Sequence, residues 1–193
     1  MRFHLGGIPE PKDFVPDDTW KSLREPGPWL MQVFALPLGF VTFVLVAFLW
    51  LRTTNLELPV LDSPGFLALG LASFIPLIVL HELIHAMIHP RRGKSDRSIL
   101  GFWPSRLLFY AHYDGELTRN RFVAILAMPM LVITFAPLTF ATITNHSTAL
   151  VVWLSTWNAF FVCGDLFGII LILLQVPRRA KCHNQGWRTY WKV

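Results

Sequence analysis

The sequence predicts an all-α membrane protein: four transmembrane helices, with a polar loop able to hold a strand between the second and the third. Two observations carry this. Apolar residues are gathered into long blocks almost free of charge, and basic residues fall on alternate connections between those blocks.

The blocks come in order along the chain. Trp29 to Leu51 contains no charge. Gly65 to Leu80 contains none, and the next nine residues add only Glu82. Phe122 to Thr144 contains none, and Ser147 to Val176 contains only Asp165. Each block can cross a hydrocarbon core of about 30 Å, which takes roughly 20 helical residues. Inside lipid the backbone must bond to itself, so each block is read as a helix. The composition agrees: 53% of the 193 residues are apolar and mean hydropathy is +0.47.

A net charge of +5 could suit nucleic acid, but its distribution excludes that reading. Arg2, Lys12, Lys21 and Arg24 precede the first block, and Arg52 alone follows it. The connection between the second and third blocks carries Arg91, Arg92, Lys94, Arg97, Arg106, Arg119 and Arg121. The next connection carries no Lys or Arg, and the last segment carries Arg178, Arg179, Lys181, Arg188 and Lys192. Basic connections face the cytoplasm in multi-pass proteins. Both termini are therefore expected there, in a cell-membrane protein. The expected organisation is a cytoplasmic tail over residues 1–28, a four-helix transmembrane domain over 29–176 and a basic cytoplasmic tail over 177–193. The first tail is polar and Pro-rich, with no signal-peptide pattern; a short helix is expected near Asp18 to Leu23. Cys163 and Cys182 are expected to stay unpaired.

The second block ends in Leu80-His81-Glu82-Leu83-Ile84-His85. On a helix, residues four apart share a face, so both imidazoles can reach one metal ion. Glu82 is then the natural acceptor for a proton from water. Ionisable groups inside a membrane span are costly and mark functional sites. His89 continues the spacing, but on a straight helix it lies about 12 Å along the axis from His81. It is read as an interfacial residue. The better third ligand is Asp165, the lone charge of the last block and at a similar depth; Gly164 would let another helix approach it. Asn158, seven residues earlier, has two readings: a contact to a substrate carbonyl or oxyanion, or a hydrogen bond between helices.

Residues 94–121 are too polar to span. Leu107 to Tyr113 is apolar and aromatic and is followed by the turn signal Asp114-Gly115. It reads as a strand or hairpin at the membrane surface that could pair with an unwound substrate segment, or as an amphipathic surface loop. His112, Asp114 and Glu116 are alternative metal ligands.

Leu80 to His85, the polar loop with Tyr110 and Tyr113, Asn158 and Gly164-Asp165-Leu166 resemble the integral-membrane zincin peptidase family DUF3267, over roughly residues 66–175. The arrangement is also similar to the core of the site-2 proteases. The resemblance implies Zn²⁺ as cofactor, His81, His85 and Asp165 as ligands and Glu82 as catalytic base. The reaction expected is metal-assisted hydrolysis of peptide bonds in membrane-associated substrates, with the bilayer and a membrane protein or peptide as partners. Two rivals remain from the residues themselves: a metal transporter, and a membrane scaffold that binds zinc without protease activity.

Overall fold

The computed structural model describes residues 1–11, 13–53 and 63–193. The chain opens with β1 (Arg2–Leu5) and β2 (Lys21–Ser22), then α1 (Pro28–Thr53). Next come α2 (Pro64–Ala72) and α3 (Phe74–Ile88), then β3 (Ser98–Trp103), β4 (Leu108–Tyr113) and β5 (Leu117–Thr118). Helix α4 (Arg119–Pro129) passes through a π-helical turn at Met130–Phe135 into α5 (Ala136–Thr144). Helices α6 (Ala149–Phe161) and α7 (Cys163–Gln175) precede the hairpin β6 (Lys181–Gln185) and β7 (Arg188–Lys192). The first connection between expected spans lies largely outside the described residues.

Three stretches are long and apolar enough to cross a membrane: Pro28–Thr53, Pro64–Ile88 and Arg119–Thr144. Helices α6 and α7, bent by 43° at Val162, make a fourth if counted as one broken span. These long apolar helices mark a membrane protein. Lipid tails are as apolar as leucine, so helices here associate through close packing and hydrogen bonds. Gly39 of α1 illustrates the first: a Cβ there would lie 2.9 Å from Cys163 Cβ and from the Phe160 carbonyl. Thr42 Oγ1 illustrates the second, donating to the Ala159 carbonyl at 2.6 Å. Gly70 of α2 likewise admits Trp153, whose indole N–H donates to its carbonyl at 3.1 Å.

The all-α expectation is corrected by two sheets. One has the order β1-β3-β4, with β1 parallel to β3 and β3 antiparallel to β4. The other has the order β2-β7-β6-β5. The expected helix near Asp18 to Leu23 is absent; Lys21 and Ser22 pair instead with Trp191 and Tyr190. A short polar helix is costly to nucleate, whereas a strand edge supplies partners at once. The segments expected as tails are therefore tied to one another and to the central loop. The predicted strand within Leu107 to Tyr113 is present as β4. Cys163 and Cys182 are both free thiols.

Candidate metal centre

Helix α3 carries His81 and His85 one turn apart, and both are buried. Their Nε2 atoms lie 3.1 Å from one another. Asp165, in the first turn of α7, places Oδ2 at 3.1 Å from His81 Nε2 and 3.3 Å from His85 Nε2. One ligand atom from each residue thus lies within 4.8 Å of the other two.

The opposite ring nitrogens explain why these atoms converge. His81 Nδ1 donates to Asn158 Oδ1 at 3.0 Å. The Asn158 amide is oriented by its own donors, since Nδ2 bonds to the Pro129 carbonyl at 3.1 Å and to Thr134 Oγ1 at 3.0 Å. His85 Nδ1 donates to the Ile125 carbonyl at 2.7 Å. In a regular helix that carbonyl would accept from residue 129, but residue 129 is proline and has no N–H. Pro129 therefore leaves the acceptor that holds His85. The π turn just beyond it exposes further groups: Thr134 Oγ1 donates to the Ser155 carbonyl and Ser155 Oγ to the Thr134 carbonyl, each at 3.1 Å.

The consequence is chemical. With each Nδ1 proton engaged, a neutral imidazole presents a lone pair at Nε2. Two lone pairs and a carboxylate oxygen then face one another in a buried site, and a metal ion or a shared proton among them satisfies all three. Neither α3 nor α7 contains Lys or Arg. A ring N–H bonded to a carbonyl, with the other nitrogen left for the ion, is also how metal-ligating histidines are held. The donor set of two imidazoles and a carboxylate suits zinc.

These side chains line a cavity of about 670 Å³, which Glu82 also lines. Every residue from Leu107 to Tyr113 lines it as well. A strand that offers consecutive residues to a cavity meets it edge-on. Asp114 N–H donates to the Arg97 carbonyl at 2.8 Å, so in the β3–β4 register the even-numbered residues of β4 bond to β3 and the odd ones turn outward. Ala111 accordingly directs its N–H at the Glu82 carboxylate. Among the described residues no strand pairs with that edge of β4.

The other candidates differ in how they stand to the cluster: His89, His112 and Gly164 line the same cavity. Asn158 is fully buried with both amide protons engaged, so the hydrogen bond between helices is the alternative its geometry contains. Gly164 is not a packing glycine: a Cβ there would meet nothing within 4 Å, and it lines the cavity instead. His89 is buried in the protein at the end of α3, with Nδ1 3.0 Å from Ser98 Oγ; burial pushes its pKa down to about 4. His112 is buried on β4 and likewise pushed down to about 4 by burial. Asp114 lies 4.0 Å from Arg2, while Glu116 pairs with Lys181 at 2.8 Å and Lys192 at 3.4 Å. None of these joins the cluster of three.

The sequence reading did not include Pro129 and Ile125. A proline inside an apolar helix four residues after a free carbonyl was the signal available for them.

Fold and site together define a helical membrane protein with a buried His-His-Asp group able to hold a metal. Residues 74–181, more than half of the chain, match the DUF3267 family, described as "putative zincin peptidase", and the chain belongs to that family. No curated protein and no solved structure matches it.

Proposed function

We propose that this protein is a zinc-dependent intramembrane metalloprotease that hydrolyses peptide bonds of membrane-associated substrates. The observation that carries the reading is the convergence of His81 Nε2, His85 Nε2 and Asp165 Oδ2 beside Glu82 in one cavity. His81, His85 and Asp165 would hold the ion. Bound there, zinc would supply Lewis acidity and bring the pKa of water toward about 7.

The chain's own groups do the rest. Glu82 accepts the proton of the attacking water and returns it to the leaving amine. The Ala111 N–H keeps the Glu82 carboxylate turned toward the cavity. Asn158 and the Ile125 carbonyl fix the two imidazoles and so reduce the reorganisation needed during reaction. The outward edge of β4 offers Phe109 N–H and C=O and the Ala111 carbonyl to a substrate backbone. A peptide paired there is extended, so its scissile amide is no longer buried in helical hydrogen bonds. Water reaches the site from the cytoplasmic side. A zinc-binding scaffold or a transporter would need the three ligands but not Glu82, and Glu82 favours the protease.

Zinc content tests this reading. The purified protein should hold zinc at a one-to-one ratio, and Asp165→Ala should lose most of it. A protein that takes up no zinc, or an Asp165→Ala variant as full as the wild type, would refute the ligand set.

A further inference from the structure

Six arginines take no part in the metal centre or its cavity. Arg91 and Arg92 follow α3, Arg119 and Arg121 open α4, and Arg178 and Arg179 follow α7. None of them lines the cavity, and among the described residues none has an acidic partner. Glu116, three residues before Arg119, is already held by Lys181 and Lys192.

The backbone gathers these arginines along one rim. Arg121 Nε donates to the Ile88 carbonyl at 3.1 Å, which ties the start of α4 to the end of α3. Residues two apart on a helix point to opposite sides, and Arg119 accordingly reaches the other neighbour. Its guanidinium donates to the Leu173 carbonyl of α7 at 3.3 Å, and its backbone N–H donates to the Ala180 carbonyl at 3.0 Å. Arg119 thus stands beside the turn that carries Arg178 and Arg179. Arg91 and Arg92 stand out through a left-handed turn, with φ of 57° and 55° and then 73° at Gly93. That region is unfavourable for L-residues. Glycine is required at 93, because a Cβ there would lie 2.5 Å from the Ala86 carbonyl. The turn folds the chain back against the last turn of α3 and leaves both arginines exposed.

Beside this rim the helices present apolar surface. Met87 on α3 and Leu173 and Leu174 on α7 are 64%, 49% and 78% exposed. Uncompensated guanidinium groups next to exposed apolar side chains, at the ends of apolar helices, fit both parts of a lipid: phosphate on the arginines and acyl chains along the helices.

We propose that this rim binds anionic phospholipids, whose phosphate groups pair with Arg91, Arg92, Arg119, Arg121, Arg178 and Arg179. The neighbouring apolar surface decides between a lipid and a soluble phosphate as occupant, since only a lipid covers it. The proposal rests on the membrane-protein reading and is independent of the protease reading.

The test adds equal amounts of phosphatidylglycerol and phosphatidylcholine to the delipidated full-length protein in detergent. Native mass spectrometry then counts the lipids that each molecule retains. The wild type should retain phosphatidylglycerol severalfold over phosphatidylcholine, and excess inorganic phosphate should not displace it. Combining Arg91→Gln, Arg92→Gln, Arg178→Gln and Arg179→Gln should remove the preference. These four side chains are exposed, so the fold should survive, and circular dichroism checks the helicity. Combining Arg2→Gln, Lys21→Gln, Arg52→Gln and Arg188→Gln removes the same charge away from the rim and should leave the preference intact. Raising ionic strength needs no variant and should shrink the wild-type preference, because exposed charges are screened. Equal retention of the two lipids by the wild type would overturn the proposal. So would a preference that survives in the rim variant or at high salt, an equal loss in the control variant, or displacement by phosphate alone.

Discussion

His85 Nδ1 donates to the carbonyl oxygen of Ile125 at 2.7 Å across the interface of α3 and α4. That carbonyl is available because Pro129 stands four residues further along α4 and has no N–H. Pro129→Ala returns the N–H and lets the helix reclaim the carbonyl, while favouring the helix itself. The expected result is metal affinity weakened by roughly 10–100-fold, as for other lost outer-shell partners, with helicity unchanged. Competition against a chelator of known affinity measures it. Affinity equal to wild type would show that the bond does not orient His85.

The ligand set makes a sharper distinction among the histidines. His81→Ala and His85→Ala should empty the site as Asp165→Ala does, whereas His89→Ala should keep most of the zinc, because His89 bonds to Ser98 and not to the cluster. Metal analysis of the purified variants decides this. An empty His89→Ala protein beside a full Asp165→Ala protein would reverse the assignment.

The contact between the segment before α1 and the final hairpin should depend on pH. Glu25 accepts from the Thr189 backbone N–H and, at 3.2 Å, from its hydroxyl. Burial pushes its pKa up to about 7 from 4.5, against the opposing pull of those bonds and of Arg188. A raised carboxyl binds its proton more tightly when docked. The docked arrangement is therefore favoured fully below the ordinary value, and that advantage is lost as pH rises through about 7. Glu25→Gln cannot ionise, so its thermal midpoint should gain on the wild type between about pH 4.5 and about pH 7. Parallel midpoints across that range would contradict the account.

Orientation follows from the alternating basic connections. Reporter fusions after Arg92 and after Lys192 should mark the cytoplasm, and a fusion near His146 should mark the outside. A different pattern would overturn the order of spans.

Much of the site was legible because charge is rare in apolar blocks. His81, Glu82, His85 and Asp165 stand out against their surroundings, and helical spacing relates the first three. What supports them was not legible. The Ile125 carbonyl serves His85 only in one register of α3 against α4, and no local pattern encodes that register. The break at Val162, which puts Asn158 on α6 and Asp165 on α7, lies in an unbroken apolar run without Pro. Strands as short as Lys21–Ser22 carry no periodicity, and their partners are distant in the chain. Gly164 reads as a packing residue, yet it faces open space beside Asp165 because the bend turns it toward the cavity.

The central claim is that Glu82 is a base and not a ligand, and Glu82→Gln tests it most directly. The substitution keeps the side-chain shape and removes the proton acceptor. General-base catalysis contributes typically about 10²–10⁴-fold, or about 3 to 5 kcal/mol of barrier. The measurement is zinc occupancy together with the cleavage rate of membrane proteins that persist in cells making the variant and disappear in cells making the wild type. The account predicts near wild-type zinc and cleavage slowed by that factor. A variant that cleaves as fast as wild type, or a wild type that cleaves nothing the variant spares, would contradict it.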